Sequence, residues 1–313
     1  MVLSVLALVV VLALGSVAGY LAFLNHTAST NIQHQALLPT PSDGSSGVAR
    51  DPRASDAQNY LIIGSDAGPD RSGSRSDVII LVHVPADRKK VYLIHFPRDL
   101  YVSVPGHGKD KINAAFAYGG APLLVRTLQN LVDVPIDHVA VMGFEGFKKM
   151  TDAVGGVDVN AEEPSNEGGV VIHKGMNHLG GADALAFVRE RHQLSQGDIS
   201  RGRRQMEFIK ALMVRSLSKG TLANPVAFAN LVDAATQNLT VDNGFTMSKI
   251  RSEALSLRGI RGKDIVFLTA PYTGYGTTSA GASIVVKDDP RMQDLSQDLR
   301  GDHLQDYVKN DSQ

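Results

Sequence analysis

Five arginines lie within residues 189–204, and this stretch is the part of the chain best suited to bind an anion. They are Arg189, Arg191, Arg201, Arg203 and Arg204. Guanidinium groups offer paired N–H donors that match phosphate oxygens, and the start of a helix adds backbone N–H donors and the positive end of its dipole. The cluster therefore predicts a site for phosphate or pyrophosphate groups.

The pattern of the next residues predicts a helix over about 200–217 with one apolar stripe. The stripe consists of Phe208, Ile209, Leu212 and Met213. Stepping back along it by four and seven residues reaches Arg201, Arg204 and Gln205, which should therefore point inward. Arg203 falls off the stripe and should lie on the surface. Because a buried guanidinium without a partner is costly, an anion should meet the inward arginines.

A second reading of the same cluster stays open, in which the arginines pair with carboxylates of the protein itself. The available partners close in sequence are Asp183, Glu190 and Asp198. Arg189 and Arg191 would point to the same side if their stretch is extended, because side chains alternate along a strand.

Charged residues also gather at the ends of three predicted strands, 60–63, 78–84 and 90–96. A hairpin that turns at Asp87-Arg88 would place Asp77 opposite Arg98. One rim would then collect the charged side chains that flank these strands, namely Asp66, Arg75, Asp77, Arg98 and Asp99.

Two carboxylates on this rim, with Ser65 nearby, offer the oxygen ligands that Mg²⁺ and Mn²⁺ prefer. The competing interpretation is that Asp and Arg at strand ends form turns and surface salt bridges. Lys111, which enters a stretch of small residues, is by itself typical of a solvated surface lysine.

The elements that must position these residues alternate between strands and amphipathic helices. Besides the three strands, the pattern predicts helices at 121–132, 144–154, 200–217, from Asn224-Pro225 onward and at 246–257, and strands at 265–268 and 283–287. No internal repeat is present. The sequence therefore predicts one mixed α/β domain of about 250 residues, covering 58–305 with a short tail at 306–313.

Composition narrows the chemistry further. The chain has 31 Lys and Arg against 32 Asp and Glu, so its net charge of −1 gives no general attraction to nucleic acid. With no Cys, it has no disulfide, thiolate nucleophile or thiolate-bound zinc. With no Trp and no aromatic residues within the arginine cluster, single-stranded nucleic acid also fits poorly.

The amino terminus predicts a membrane anchor. Residues 1–24 are uncharged and almost wholly apolar, and about 20 such residues suffice for a helix to cross the hydrocarbon core. The alternative is a cleaved signal peptide, with Ser16-Val17-Ala18 as its cleavage site. Residues 25–57 are rich in Ser, Thr, Pro and Gly and predict a flexible extracytoplasmic tether. The bulk of the chain should therefore lie outside a bacterial cell membrane, on a single-pass anchor.

Eight short motifs resemble, in order, those of the LytR-CpsA-Psr domain. They are Ile62-Ile63-Gly64-Ser65-Asp66, Arg75-Ser76-Asp77, Phe96-Pro97-Arg98-Asp99-Leu100, Lys111-Ile112-Asn113, Gly143-Phe144-Glu145-Gly146-Phe147, Gly155-Gly156-Val157-Asp158-Val159, the run ALAFVRERH at 184–192, and Gly197-Asp198 followed by Arg201, Arg204 and Gln205. Each motif alone is weakly specific, but eight in register across residues 58–217 are highly specific. The sequence departs from the family where Ala67 and Gly68 follow Asp66, since many members have an arginine soon after that position.

The resemblance implies a fold, an activity and roles for individual residues. The implied fold is a three-layer α-β-α domain with a central mixed sheet. The implied activity is a phosphotransferase that moves a glycopolymer, such as a teichoic acid, from an undecaprenyl-pyrophosphate carrier to a muramic-acid hydroxyl of peptidoglycan. Asp66 and Asp77 would ligate Mg²⁺ or Mn²⁺. The pyrophosphate would be surrounded by Arg75, Arg98, Lys111, Arg189, Arg191, Arg201 and Gln205, to which the helical stripe adds Arg204; Arg98, Asp99, Arg189 and Arg191 would be catalytic.

The resemblance further implies that some apolar residues line a lipid tunnel instead of a packed core. Asp99 and Asp77 are the candidates for the base that accepts the proton of the attacking hydroxyl, while His192 would be a bystander. Two other functions compete with the transferase. One is a hydrolase that cleaves polyprenyl pyrophosphate with water, and the other is a non-enzymatic, envelope-associated transcriptional attenuator.

Overall fold

The computed structural model describes residues 2–40, 47–65 and 76–311, with side chains placed from residue 16 onward except at Val17, Asp198 and Asp311. Its helices are α1 Val2–Asn31, α2 Ile112–Val132, α3 Phe144–Ala153, α4 Gly181–Arg189, α5 Asp198–Ser216, α6 Lys219–Leu222, α7 Pro225–Thr236, α8 Met247–Ser256, α9 Asp289–Arg300 and α10 Leu304–Asp311. Its strands are β1 Gln33–Gln35, β2 Gln58–Ser65, β3 Ser76–Val84, β4 Val91–His95, β5 Tyr101–Val104, β6 Gly108–Lys111, β7 His138–Gly143, β8 Val157–Ala161, β9 Ser165–Glu167, β10 Val170–Ile172, β11 Gly175–Leu179, β12 Leu239–Asp242, β13 Ile265–Thr269, β14 Tyr272–Thr277 and β15 Ser283–Lys287.

A mixed sheet with the strand order β1-β12-β7-β2-β3-β4-β13 forms the centre of the described chain. β3 pairs antiparallel with both β2 and β4, whereas β2 runs parallel to β7 and β4 runs parallel to β13. Ile80 lies opposite His95, which is the register that a turn at Asp87-Arg88 predicts. The mixed α/β class and this hairpin register are therefore confirmed.

The two faces of the sheet are covered by different helices. Along β2, Leu61 and Ile63 are fully buried in the main core, which also contains residues of α2 and α9. Tyr60 and Ile62 point to the opposite face, toward residues of α5 such as Ile209 and Met213. Because side chains alternate along a strand, a single apolar run supplies both faces.

Helix α1 joins the fold within the range that composition predicts as a flexible tether. It continues to Asn31, and β1 then pairs in parallel with β12 at the edge of the main sheet. Ala28 and Ile32 are buried beside Val241. The tether prediction for 25–57 is thus wrong for the residues around 25–37, because the apolar partners that order them lie about 200 residues away, where composition cannot reveal them.

The predicted membrane span, residues 1–24, lies mostly outside the residues whose side chains are described. Within the described part of the chain, no helix combines the length and the hydropathy that a membrane crossing requires.

Several further elements differ from the sequence prediction, which did not include β7 and β12 of the main sheet, the strands β8–β11 and β14, or the helices α4, α6 and α9. The predicted tail contains most of α10, whose Tyr307 is buried in the main core. The helix predicted at 121–132 has an additional segment before it, since α2 begins at Ile112 and is interrupted at Gly119 and Gly120. Gly120 has a φ of 62°, a backbone conformation that residues with a Cβ rarely adopt. The short hairpin β5–β6, which carries Lys111, was not predicted.

Candidate functional site

The hairpin β3–β4 brings Asp77 and Arg98 together at one end of the sheet. Arg98 Nη1 donates to Asp77 Oδ1 at 2.7 Å, and both side chains are partly buried. This contact follows directly from the register that places the two residues opposite each other. Ser65, at the end of β2, is buried and pairs with Ser76 at the start of β3. Asp66 and Arg75, which the sequence also assigns to this rim, lie outside the described residues.

Asp99 links Arg98 to Lys111. Its Oδ1 lies 3.1 Å from Lys111 Nζ, and its Oδ2 lies 3.9 Å from Arg98 Nε. Two backbone hydrogen bonds hold the two segments side by side, from Ile112 N to Leu100 O at 2.8 Å and from Asn113 N to Arg98 O at 3.1 Å. Lys111 is therefore part of the rim and not an isolated surface lysine. We call Asp77, Arg98, Asp99 and Lys111 the rim cluster.

Helix α5 supplies the next cationic group. Arg201 and Gln205 are buried, as the apolar stripe predicts, whereas Arg203 is exposed and its Nε donates to Glu162 Oε2 at 2.8 Å. Arg201 lies with Arg98, Asp99 and Gln205 around a narrow cavity of about 40 Å³ between the end of β4 and the start of α5. The structure thus joins the two charged clusters that the sequence shows about 100 residues apart.

His95 contributes to this junction and was missed in the sequence. It is buried at the end of β4, and a Cβ at Gly202 would lie only 3.2 Å from its Cε1, so α5 approaches closely because residue 202 is glycine. Burial and the charge of Arg201 lower the pKa of His95 to about 4, so the imidazole is neutral near pH 7. Its position directly before the Phe96–Leu100 motif was the available signal.

Arg204 binds other groups of the protein, whereas the helical stripe suggested that it would bind an anion. Its Nη1 donates to Ser165 Oγ at 2.8 Å, its Nη2 donates to Glu163 O at 2.7 Å, and its guanidinium carbon lies 4.7 Å from the centre of the Phe187 ring. Burial lowers the pKa of Arg204, while the carboxylates of Glu190 and Glu163 oppose that shift. Its contacts therefore support a structural role in attaching α5 to the loop after β8.

Arg189 and Arg191 are both exposed, and their side chains contact different residues. The guanidinium carbon of Arg189 lies 4.4 Å from the centre of the Phe144 ring, a cation–π contact at the start of α3. Arg189 is the last residue of α4, so the extended stretch that would align it with Arg191 begins only at Glu190. The side chain of Arg191 reaches His192, with 3.4 Å between Nε and Nε2.

Two glutamates near these arginines, Glu167 and Glu190, shift each other's pKa. Burial raises the pKa of Glu190, but backbone N–H groups, that of Gln193 foremost, and the Glu167 carboxyl outweigh burial, so its pKa is lowered overall. The pKa of Glu167 is raised by its hydrogen bond to Glu190 and by the neighbouring negative charge. Glu190 was a predicted partner of the arginines, and its charge does act on Arg204.

An apolar cavity of about 650 Å³ lies behind the charged groups. It separates one face of the sheet from α3, α5 and α8, and its wall includes Ile62, Val78, Ile80, Ile209, Leu212 and Met213. Gln205 lines both this cavity and the narrow polar one beside Arg201. The amide of Gln205 is fixed by donation from Nε2 to Val188 O at 3.3 Å. Charged and apolar regions therefore meet at one residue of α5.

The described residues contain no group of three or more His, Cys, Asp or Glu side chains suited to hold a metal ion. Of the two predicted metal ligands, only Asp77 is described. Its carboxylate is partly exposed and supplies the type of oxygen that Mg²⁺ and Mn²⁺ accept.

Arg98 and Arg201 line a narrow cavity that adjoins a larger apolar one, and such a site suits a ligand with an anionic head and a long apolar tail. Comparison with known proteins then places the chain in a family. A profile of the LytR_cpsA_psr family matches residues 20–301, and the chain belongs to this family.

Among relatives, the chain is 31% identical to "Cell wall biosynthesis protein LcpA" of Corynebacterium glutamicum, over 96% of this chain and 65% of that protein. It is also 31% identical to "Polyisoprenyl-teichoic acid--peptidoglycan teichoic acid transferase TagT" of Bacillus subtilis, over 93% of this chain and 90% of that protein. The chain thus spans slightly less than two thirds of LcpA but most of TagT.

Solved structures show the same fold. The crystal structure of Bacillus subtilis TagV has a TM-score of 0.67 and 27% identity, covering 79% of this chain and 97% of that chain. A structure of TagT bound to LIIa-WTA has a TM-score of 0.66 and 28% identity, covering 86% of this chain and 99% of that chain.

Proposed function

We propose that this protein is a transferase that moves a glycopolymer from an undecaprenyl-pyrophosphate carrier onto peptidoglycan, forming a phosphodiester to a muramic-acid hydroxyl. The observation that carries the proposal is the junction at Gln205, where the cationic site and the 650 Å³ apolar cavity share one wall residue. The names of relatives such as TagT, a teichoic acid transferase, support it.

The size and chemistry of the two regions fit the two halves of such a donor. Binding cavities of about 300–1,000 Å³ enclose most of a drug-sized ligand, so 650 Å³ suits a stretch of isoprenoid chain next to the pyrophosphate. The walls are apolar, as a hydrocarbon tail requires. The pyrophosphate would lie at the open end, within reach of Arg98 and Arg201.

In this proposal the arginines stabilise charge on the pyrophosphate. Arg98 and Lys111 are held in place by Asp77 and Asp99, so their positions are set before the donor binds. Preorganised cations of this kind stabilise the charge that develops in phosphoryl transfer. The acceptor hydroxyl attacks the phosphorus attached to the sugar, its proton leaves to a base, and the lipid phosphate departs with the electrons of the broken P–O bond.

We further propose that the enzyme depends on Mg²⁺ or Mn²⁺, held by Asp77 together with Asp66. A divalent cation bound there would neutralise phosphate charge. The carboxylate type and partial exposure of Asp77 support this assignment.

The proposed location is the outer side of a bacterial cell membrane, with the helix over 1–24 as a single-pass anchor. Two observations support it, the absence of Asp, Glu, Lys and Arg from the first 42 residues and the helical backbone of Val2–Asn31. At about 1.5 Å per residue, this helix is long enough to cross a membrane and still contact the domain.

The proposal is tested with the full chain in vesicles, a polyprenyl-pyrophosphate saccharide donor and Mg²⁺, by measuring lipid-phosphate release with and without a peptidoglycan oligomer. The transferase predicts release that needs both the cation and the oligomer, with sugar phosphate attached to the oligomer. Equal release without the oligomer would instead identify a hydrolase. No release from any donor would contradict an enzymatic role and favour the attenuator.

A further inference from the structure

Apolar side chains are exposed where the start of α7 meets α1. Leu21 and Phe23 of α1 are 58% and 55% exposed, and Leu222 and Val226, at the end of α6 and the start of α7, are 47% and 68% exposed. We call these four residues the basal patch. Each lies within three residues of Tyr20 or Pro225 in the chain, and Leu21 and Phe23, two positions apart, project from different sides of α1.

Helix α1 is attached to α7 along the length of α7. Tyr20 Oη donates to Pro225 O at 2.7 Å, and Asn31 Nδ2 donates to Asp233 Oδ1 at 2.9 Å and to Thr236 Oγ1 at 3.1 Å. Because Tyr20 contacts the first residue of α7 and Asn31 contacts its last turn, the two helices run parallel. The part of α1 before Tyr20 therefore projects beyond the basal patch.

The backbone of α1 continues as a helix on the far side of Tyr20, over the apolar part of the sequence. A helix that crosses the hydrocarbon core needs about 20 predominantly apolar residues. If this segment is the proposed membrane anchor, Leu21, Phe23 and the start of α7 lie at the membrane interface.

A cation lies close to the exposed apolar residues in the chain. Lys219, the first residue of α6, is exposed and comes three residues before Leu222. Exposed apolar side chains with a nearby cation are the combination that interfacial binding requires.

We propose that the basal patch rests on the lipid bilayer and that the α1–α7 contact fixes the domain in this orientation. The apolar cavity then leads from the membrane to Gln205 and the adjoining narrow cavity at Arg201, because its wall follows α5 from Gln205 to Ser216 and Leu217, about 18 Å along the helix. A polyprenyl tail can remain partly in the bilayer while its pyrophosphate reaches Arg201. This inference rests on the anchoring proposed above.

The absence of Trp from the chain allows a direct test. Val226→Trp and Met176→Trp each introduce a single fluorophore at a site that is 68% exposed, and Met176 lies outside the patch, in β11 where it pairs with β8. Each full-length variant is reconstituted in vesicles with and without brominated lipids. The proposal predicts blue-shifted emission and strong bromine quenching for Val226→Trp, and water-like, unquenched emission for Met176→Trp.

Equal quenching of the two variants would overturn the proposal. So would a blue shift of Val226→Trp that depends on protein concentration but not on brominated lipid, because a second copy of the chain would then cover the patch. Retention in vesicles after an alkaline wash reports the anchor separately, and protein that washes off would contradict both the anchor and the orientation.

A double variant, Leu222→Asp with Val226→Asp, connects the orientation to catalysis. Turnover of a long-chain donor embedded in vesicles should fall about tenfold, which corresponds to 1.4 kcal/mol, whereas turnover of a short, water-soluble donor should not change. An equal fall with both donors would contradict the inference. A wild-type enzyme that turns over neither donor would refute the proposed function, while the fluorescence result would still decide the orientation.

Discussion

The two faces of the main sheet carry equally apolar side chains but are filled differently. On one face, Leu61 and Ile63 are completely buried against other side chains. On the other, Ile62 and Val78 border a cavity of about 650 Å³. The difference shows that an apolar strand pattern reports which side chains avoid water, but not whether protein or a ligand covers them.

The cavity face of the sheet also has polar and charged residues at one end. Val91 and Leu93 of β4 line the cavity, and His95, two residues further along the same face, lies beside Arg201. A solid core stabilises the fold by itself, whereas a cavity with a cationic end can hold an amphiphile. Four predictions test this comparison.

The largest effect is expected on turnover at the charged end. Arg201→Ala should lower kcat at least about 100-fold, because a preorganised donor to the pyrophosphate is lost. Arg251→Ala, on the exposed surface of α8 and lining neither cavity, is the control and should change kcat less than about twofold. Steady-state kinetics of both folded variants provide the measurement, and wild-type turnover in Arg201→Ala would remove this residue from the site.

The second prediction compares how much a truncation on each face lowers the free energy of unfolding. Ile63→Ala should reduce the free energy of unfolding by about 2–5 kcal/mol, because it leaves a void in a packed core. Ile62→Ala, the neighbouring residue on the cavity face, should reduce it by less than about 1 kcal/mol, since few packed contacts are lost. Urea denaturation measures both values. Equal losses would mean that the cavity face is packed as tightly as the other.

A pH effect of similar size is expected at the charged end of the cavity face. The pKa of His95 is lowered to about 4 in the folded protein, against an ordinary value of 6.5, so unfolding takes up a proton between these values. Stability should therefore be complete above about pH 6.5 and fall by about 2 kcal/mol between pH 7.5 and pH 5.

His95→Leu is the matched variant, and urea denaturation of it should lose this pH dependence. The carboxyls of Asp242 and Asp302, whose pKa values are lowered from 3.8, destabilise the fold only at lower pH, so they do not interfere. An unchanged slope in His95→Leu would show that another group takes up the proton.

The smallest effect concerns use of the cavity by a ligand. Ile62→Phe should lower kcat/KM for a long-chain donor about tenfold, or 1.4 kcal/mol, and leave the free energy of unfolding nearly unchanged, because the ring enters open space. Ile63→Phe should instead cost about 1–3 kcal/mol of stability through overpacking. A donor with a very short tail is the kinetic control and should be unaffected by Ile62→Phe.

Much of the framework was predictable from local pattern. The strand runs and the turn at Asp87-Arg88 predict the β3–β4 register, and with it the contact between Asp77 and Arg98. The helical period predicts that Arg201 and Gln205 are buried and Arg203 exposed. These features depend on the spacing of residues within one element or one hairpin, and that spacing can be read directly from the sequence.

Other outcomes depended on partners far away in the chain. Arg204 has the same inward position as Arg201 on the helical stripe, yet it binds Ser165 and the backbone of Glu163. Helix α1 is ordered to Asn31 by contacts with α7, about 200 residues later. No periodicity within either segment contains this information.

Motifs and local periodicity are thus enough to predict the family, the mixed α/β class and the side of each element that avoids water. They do not reveal that one face of the sheet is a packed core and the other a cavity, or which arginines lie at its end. The alternation of side chains sets their direction, whereas the distance between a sheet and the helices above it depends on how all the intervening side chains and connections pack together.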